Sequence, residues 1–250
     1  MEVRVVGCGE AFDSGLGNNA YLLSAGGQRI LIDCGYQIPE RLWAGGLHRS
    51  LDAVYFTHTH ADHAFGIVPL LVRYWEERRK KPLSIIGHRG VSSFVRKALE
   101  LGFPGFGARL NFPLDFVVVK PGTASSWGGL TLDTARSQHG VTNLSVRFTE
   151  GGRSCAFSGD GAVTPETDAL YRGVDLLFHE LFSVRRKVPG HTNVPAIRAL
   201  AESARPTRLV VSHHARRYKA AVLRAVAGLD ERRVGGARWI AAKPDQTFQI

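Results

Sequence analysis

The apolar and polar positions of this chain change period several times. Val3 to Val6 is a short apolar run that reads as a strand. Ala20 to Ser24 and Arg29 to Asp33 read as two more strands, joined through Gly26-Gly27 as a hairpin. Leu51 to Phe56 reads as a short buried strand. A helical pattern follows from Ala64 to Arg79, with Pro69 restricting where its first turn begins. Leu83 to Ile86 is strand-like and Val91 to Leu101 helix-like. Residues 102 to 113 carry Gly, Pro and three Phe, an apolar loop suited either to cover a site or to pack as a connection.

The second half continues the alternation. Phe116 to Val119, Leu130 to Thr134, Leu144 to Phe148, Arg153 to Phe157 and Val174 to Phe178 read as strands. Val194 to Ser203 reads as a helix, Leu209 to Val211 as a buried strand, Lys219 to Ala227 as a helix and Thr247 to Ile250 as a final strand. Strands come singly or in antiparallel runs, with helices between the later ones. That order predicts sheet packed on sheet with helices outside, a four-layer α/β/β/α sandwich. No repeat, low-complexity tract or linker divides the sequence, so residues 1–250 are expected to form a single domain.

Composition narrows the class. Hydrophobic residues make up 44% and charged residues 22%, the balance of a globular chain rather than a disordered one. The first residues already look like a strand, no signal peptide is expected, and no apolar run approaches a membrane span. Cys8, Cys34 and Cys155 are odd in number and far apart, which suggests neither disulfides nor a thiolate zinc knuckle. A cytoplasmic location follows as the expectation. The net charge, 32 minus 22 or +10, suits a polyanionic substrate. Of the basic clusters, Arg78-Arg79-Lys80-Lys81 suits a helix C-terminus. Arg185-Arg186-Lys187 and Arg216-Arg217 with Lys219 fall close to candidate site residues.

The candidate chemistry begins where the Leu51 to Phe56 strand ends. Thr57-His58-Thr59-His60-Ala61-Asp62-His63 packs four metal-competent side chains into six residues. Neutral imidazoles with a carboxylate suit a borderline-soft divalent ion such as zinc. The run reads as a loop, with His58 and His60 on one ion and Asp62 and His63 on another. Further metal-capable residues follow later strand-like segments: His139 in Ser137-Gln138-His139-Gly140, Asp160 in Ser158-Gly159-Asp160-Gly161, and His213 after Leu209-Val210-Val211-Ser212. Loops at one sheet rim are where sites collect. Adjacent strand residues face opposite ways, so only one of His213 and His214 should reach this set. His48 and His88 lack such context and read as structural or surface residues.

In this order, H-x-H-x-D-H, His, Ser-Gly-Asp and a late His, the sequence resembles the metallo-β-lactamase fold superfamily over almost its whole length. The resemblance implies that His58, His60 and His139 bind one divalent ion, that Asp62, His63 and His213 bind a second, and that Asp160 bridges them. It implies zinc, or else manganese or iron, with a water or hydroxide between the ions as nucleophile, oriented by Asp62. Phe178-His179-Glu180-Leu181, Gly190-His191-Thr192 and Ser212-His213-His214-Ala215-Arg216-Arg217-Tyr218 resemble the ribonuclease Z-like branch. There His191 would donate a proton to the leaving oxygen, held or charge-stabilised by Glu180. The resemblance leaves a homodimer open, since relatives commonly dimerise, while the sequence itself does not give the oligomeric state.

Two departures separate the chain from tRNA-processing members. Only 21 residues separate His139 from Asp160, which leaves no room for a tRNA-gripping arm. The early loop Phe12-Asp13-Ser14-Gly15-Leu16-Gly17-Asn18-Asn19 lacks the Lys and Arg that help those members select a tRNA 3′ end. The expectation is a phosphodiesterase acting on a small-molecule phosphodiester, such as a cyclic nucleotide, or on a short nucleic acid. The competing class hydrolyses a lactone, ester, thioester or β-lactam-like amide at the same metals. A di-iron flavin protein would need a further domain, and a non-catalytic binding protein would not need the full ligand set.

Overall fold

In the computed structural model, which describes all 250 residues, the first half builds one seven-stranded sheet. Its strands are β1 (Glu2–Gly7), β2 (Ala20–Ala25), β3 (Gln28–Ile32), β4 (Ala53–Tyr55), β5 (Leu83–Gly87) and β6 (Leu114–Val118). The second half supplies β7 (Ser125–Trp127), β8 (Leu130–Arg136), β9 (Leu144–Glu150), β10 (Arg153–Phe157), β11 (Leu176–Glu180), β12 (Arg208–Ser212) and β13 (Arg238–Ala241), all in the second sheet. The terminal strand β14 (Thr247–Gln249) returns to the first sheet and pairs with β1. The strand orders are β14-β1-β2-β3-β4-β5-β6 and β13-β12-β11-β10-β9-β8-β7.

Period-2 alternation assigns each strand's two faces. Ala53 and Tyr55 of β4 face the core between the sheets, while Val54 and Phe56 face the outer helices. Leu176 and Phe178 of β11 face inward and Leu177 outward in the same way. Over the first sheet lie α1 (Ile38–Ala44), the short α2 (Ala61–Ala64), α3 (Ile67–Glu76) and α4 (Val91–Gly102). Over the second lie α5 (Pro165–Tyr171), α6 (Val194–Ala204) and α7 (Lys219–Glu231). The fold is therefore the expected α/β/β/α sandwich. No helix is long and apolar enough to cross a membrane.

Two local expectations are corrected and, for residues 102–113, one of two open alternatives is decided. The helix expected over Ala64 to Arg79 breaks at Phe65-Gly66, because Gly66 passes so close to Gly35 that a Cβ would lie 2.3 Å from the Gly35 carbonyl oxygen. The main helix starts at Ile67, with Pro69 in its first turn as anticipated, and stops at Glu76. The histidine-rich run is only partly a loop, since Asp62 and His63 sit in the single turn of α2. The 102–113 segment does not cover the histidine cluster. Phe106 packs edge-on to Trp75 at 5.1 Å and Phe112 to Tyr74 at 5.9 Å. Those partners lie about 10 Å along α3 from its site-proximal end.

Candidate metal centre

Beyond β4 the backbone is still held as a strand for one residue, with Phe56 N–H donating to Ile86 O at 2.8 Å. Thr57 N–H then donates to Asp33 Oδ1 and Thr57 Oγ1–H to Asp33 Oδ2, both at 2.8 Å. His58 projects inward and is fully buried. The chain turns through His60 into α2, which is pinned by Cys34 N–H donating to His63 O at 2.7 Å. Gly35 makes that approach possible, because a Cβ there would meet Asp62 O at 1.9 Å.

Two donor sets result. His58, His60 and His139 form one, with donor atoms all within 4.8 Å of one another. His139 Nδ1–H donates to Gly190 O at 2.8 Å, which leaves Nε2 free to face His60 Nδ1 at 3.1 Å. The second set is Asp62, His63, Asp160 and His213. His63 Nε2 lies 3.3 Å from Asp160 Oδ1 and 3.5 Å from Asp62 Oδ2, and His213 Nε2 lies 3.5 Å from Asp160 Oδ2 and from Asp62 Oδ2. The His58 and His63 rings are 4.1 Å apart, so the sets adjoin.

Burial tests whether these residues suit a cation. His58 Nε2, His63 Nε2, His213 Nε2 and Asp160 Oδ1 are buried and make no hydrogen bond within the protein. Such atoms are costly to leave unpaired, and all four point into the two donor sets. Three imidazoles in one set and a mixture of imidazole and carboxylate in the other suit a divalent ion of zinc type. Burial alone would raise the Asp160 pKa, but His213 and His63 outweigh it and hold the carboxyl well below its usual range. Burial likewise opposes charge on His63, yet Asp160 and Asp33 raise its pKa well above the usual value.

Beside these sets stands a third group of Glu180, His191 and His213. Glu180 ends β11 with no exposed surface. It accepts from Gly161 N–H at 2.9 Å, Thr192 N–H at 3.1 Å and His191 Nδ1–H at 3.2 Å. Phe182 stacks on the His191 ring at 4.1 Å and 16°, and His213 lies parallel on it at 5.9 Å. The His191 side chain keeps 17% exposure. Burial works against its charge, but the bond to Glu180 and that residue's carboxylate outweigh burial and raise its pKa. Burial raises the Glu180 pKa too. Both shifts keep a proton within the pair.

All nine candidate residues therefore converge. His214 does not join them: its Nδ1–H donates to Leu181 O at 2.7 Å, and burial drops its pKa to about 4. The separation from His213 comes from backbone conformation rather than strand alternation, since β12 ends at Ser212 and His213 is left-handed, with φ of 56°. His48 is structural, buried against Glu77 at 3.0 Å. The sequence reading missed Asp33, whose Oδ2 accepts from His63 Nδ1–H at 2.7 Å. It also missed Phe182. An Asp directly after an apolar strand was the available signal for the first; a lone Phe gave none.

A family model described as anti-Pycsar protein Apyc1 matches residues 1–228. Ribonuclease Z of Bradyrhizobium sp. (strain ORS 278) is 28% identical over 253 residues, covering 79% of this chain and 83% of that protein. Among solved structures, the metallo-beta-lactamase fold protein YhfI from Bacillus subtilis superposes with a TM-score of 0.83 at 22% identity, covering 99% of this chain and 98% of that one. Human tRNase Z, short form, gives 0.80 at 22% identity, with 100% and 99% covered. The chain is a metal-dependent hydrolase in the ribonuclease Z-like branch of the metallo-β-lactamase superfamily. Within that branch it belongs to the family described as anti-Pycsar protein Apyc1.

Proposed function

We propose that the protein is a two-metal phosphodiesterase acting on a small phosphodiester, with a cyclic nucleotide as the first choice of substrate class. In this reading His58, His60 and His139 hold one ion, Asp62, His63 and His213 hold the second, and Asp160 lies between them. Two divalent ions held there, zinc by donor type, supply Lewis acidity and a nucleophile drawn from water at neutral pH. The observation that carries the reading is His191, an imidazole edge-on to His139 at 5.4 Å and parallel to His213 at 5.9 Å, with its Nδ1–H fixed by a buried carboxylate that raises its pKa. Cleavage of a phosphodiester needs a proton on the leaving oxygen, and a histidine poised near neutral pH provides it. His191 donates through Nε2, and Glu180 compensates the charge and fixes the ring. Asp62, 13% exposed, orients the attacking oxygen.

A small substrate is supported by the rim. The residues between His139 and Asp160 are taken up by β9, the Gly151-Gly152 turn and β10. Exposed Arg185, Arg186, Lys187 and Arg217 border His191 in sequence or in the late motif, and none pairs with a carboxylate. They favour an anionic substrate. Three buried free thiols support a reducing, cytoplasmic location.

The test compares leaving groups on metal-quantified protein with added zinc or manganese. p-Nitrophenolate departs without protonation, whereas a ribose oxygen does not. His191→Ala should retain both metal equivalents and slow 3′,5′-cyclic nucleotide hydrolysis about 10²- to 10⁴-fold. It should leave bis-p-nitrophenyl phosphate turnover within about tenfold. Two bound metals with turnover of lactones and none of phosphodiesters refutes the proposal.

A further inference from the structure

The rim that carries the donor sets also carries a second polar feature. β5 ends at Gly87, and His88 follows it at the mouth of a cavity of about 320 Å³. Arg89, Lys120 and Arg136 line the same cavity over an apolar floor that includes Val119 and Leu144, and no carboxylate lines it. None of the three cations lies within 4.0 Å of a carboxylate anywhere in the protein. Arg136 spends one donor on Thr142 Oγ1 at 3.1 Å. Arg89, Lys120 and Arg136 are all exposed, so water screens their mutual repulsion, but three like charges around one concavity make it attractive to an anion.

His88 adds a donor. Its Nδ1 accepts from Gly90 N–H at 3.1 Å, so the neutral ring carries its proton on Nε2. That Nε2 is buried and has no partner in the protein. Burial and then the Arg136 charge lower the His88 pKa, which keeps the ring neutral and the tautomer fixed. The α4 helix begins at Val91 with no side-chain cap and turns its positive end toward this segment. The cavity adjoins a larger one of about 710 Å³ through Pro121 and Arg136, which line both.

We infer that His88, Arg89, Lys120 and Arg136 form a phosphate-binding site apart from the metal centre, taking the phosphate group of a small phosphomonoester whose body occupies the adjoining cavity. The guanidinium groups bind the phosphate oxygens by charge-assisted hydrogen bonds, Lys120 adds a point charge, and His88 Nε2–H donates one further bond. Each cavity by itself falls within the size range of small-molecule sites. Arg136 and Thr142 flank the loop that carries His139, so the site borders the catalytic rim without sharing a residue with it. The inference does not depend on the phosphodiesterase reading.

The test reads Lys120 itself, on the full-length zinc-loaded protein. Acetylation of each lysine is followed by peptide mass spectrometry with no addition, with inorganic phosphate, with adenosine 5′-monophosphate, or with adenosine. Phosphate and the monophosphate should both slow Lys120 acetylation, while adenosine and the remaining lysines show no change. Arg136→Gln should weaken the protection about tenfold or more, the scale of one lost charge-assisted hydrogen bond. His88→Leu, which removes the neutral Nε2–H donor and no charge, should weaken it less and covers the case in which the arginine variant misfolds. Tighter protection by the monophosphate than by phosphate identifies a phosphomonoester; equal protection identifies the free ion. Lys120 acetylation that is indifferent to both phosphates, or slowed equally at every lysine, overturns the site.

Discussion

The replacement Asp33→Asn isolates the role of a carboxylate that touches no substrate. Asp33 is buried and receives three donors: Thr57 N–H, Thr57 Oγ1–H and His63 Nδ1–H. Its φ of 62° is one that asparagine adopts readily, so the backbone is expected to survive the change. The side chain then has one acceptor and one donor where two acceptors stood. With the amide oxygen on Thr57 N–H, the NH₂ faces Thr57 Oγ1, which can rotate to accept, and His63 Nδ1, which can accept only by losing its proton. That shift moves the imidazole proton to Nε2, the buried nitrogen 3.3 Å from Asp160 Oδ1. Ligation at Nε2 is then blocked until the tautomer is restored.

A charge-assisted hydrogen bond of 2.7 Å contributes about 1.5–3 kcal/mol. Losing it should weaken one ion about 10- to 100-fold, the usual effect of removing a carboxylate behind a ligating histidine. Competition of the protein with a chromophoric chelator for zinc resolves the two equivalents. One affinity should fall by that factor and the other should fall less, because Asp33 bonds His63 directly but reaches His58 only through Thr57 Oγ1, 3.0 Å from His58 Nδ1. Two unchanged affinities, or an equal fall in both, would refute the tautomer argument.

Other substitutions probe the remaining links. His63→Ala should remove one zinc equivalent and nearly all turnover, measured by metal analysis alongside rates; retention of two equivalents contradicts the assignment. His179 is buried with its pKa lowered to about 4 from 6.5, so the unfolded chain takes up a proton between those values and the folded chain does not. Stability should therefore fall by about 3 kcal/mol from pH 6.5 to pH 4 on this account. Urea denaturation of His179→Leu across that range should show a shallower loss than wild type, and parallel curves would remove His179 as the cause. Phe157 stacks on Phe178 at 5.1 Å and 8°, between the sheets. Phe157→Ala should cost about 3–5 kcal/mol in chemical denaturation.

Which parts of this architecture a reader can extract from the sequence depends on how each part is buried. Strands with one face on the inter-sheet core and one under helices show short apolar runs, so β4, β10 and β12 were legible, while β9 was legible by alternation, with Leu144, Val146 and Phe148 set against Ser145, Arg147 and Thr149. The elements overlooked lack that signal. β7 is three residues, Ser125–Trp127, without a buried position, and β13 is an edge strand whose one fully covered side chain is Trp239. α1 and α5 are seven residues each, too short to establish a helical period. For α5 the signal was in its cap: Thr164 accepts from Thr167 N–H, with Pro165 at the first helical position. The break between α2 and α3 was illegible because it answers to Gly35, thirty-one residues earlier, rather than to its own neighbours.

The site was more legible than the fold because of strand direction. β10, β11 and β12 run parallel in register, with Phe157 beside Phe178 and Phe178 beside Val210. Their carboxyl ends therefore emerge at one rim, which brings Asp160, Glu180 and His213 together from residues far apart in sequence. β8 and β10 both pair antiparallel with β9, so β8 points the same way and delivers His139 to that rim. In the first sheet β3, β4 and β5 are likewise parallel, with Ile32 beside Tyr55 and Tyr55 beside Ile86. Asp33, the His58 to His63 run and His88 thus emerge side by side. A polar residue just past an apolar strand was the right feature to follow, and it marks Asp33 and His88 as clearly as it marks Asp160. What the sequence withheld was the strand order that sets neighbours on the rim. Asp33 stands behind His63 because β3 adjoins β4, and His88 opens on a separate cavity because β5 lies on the far side of β4, next to β6 and Lys120.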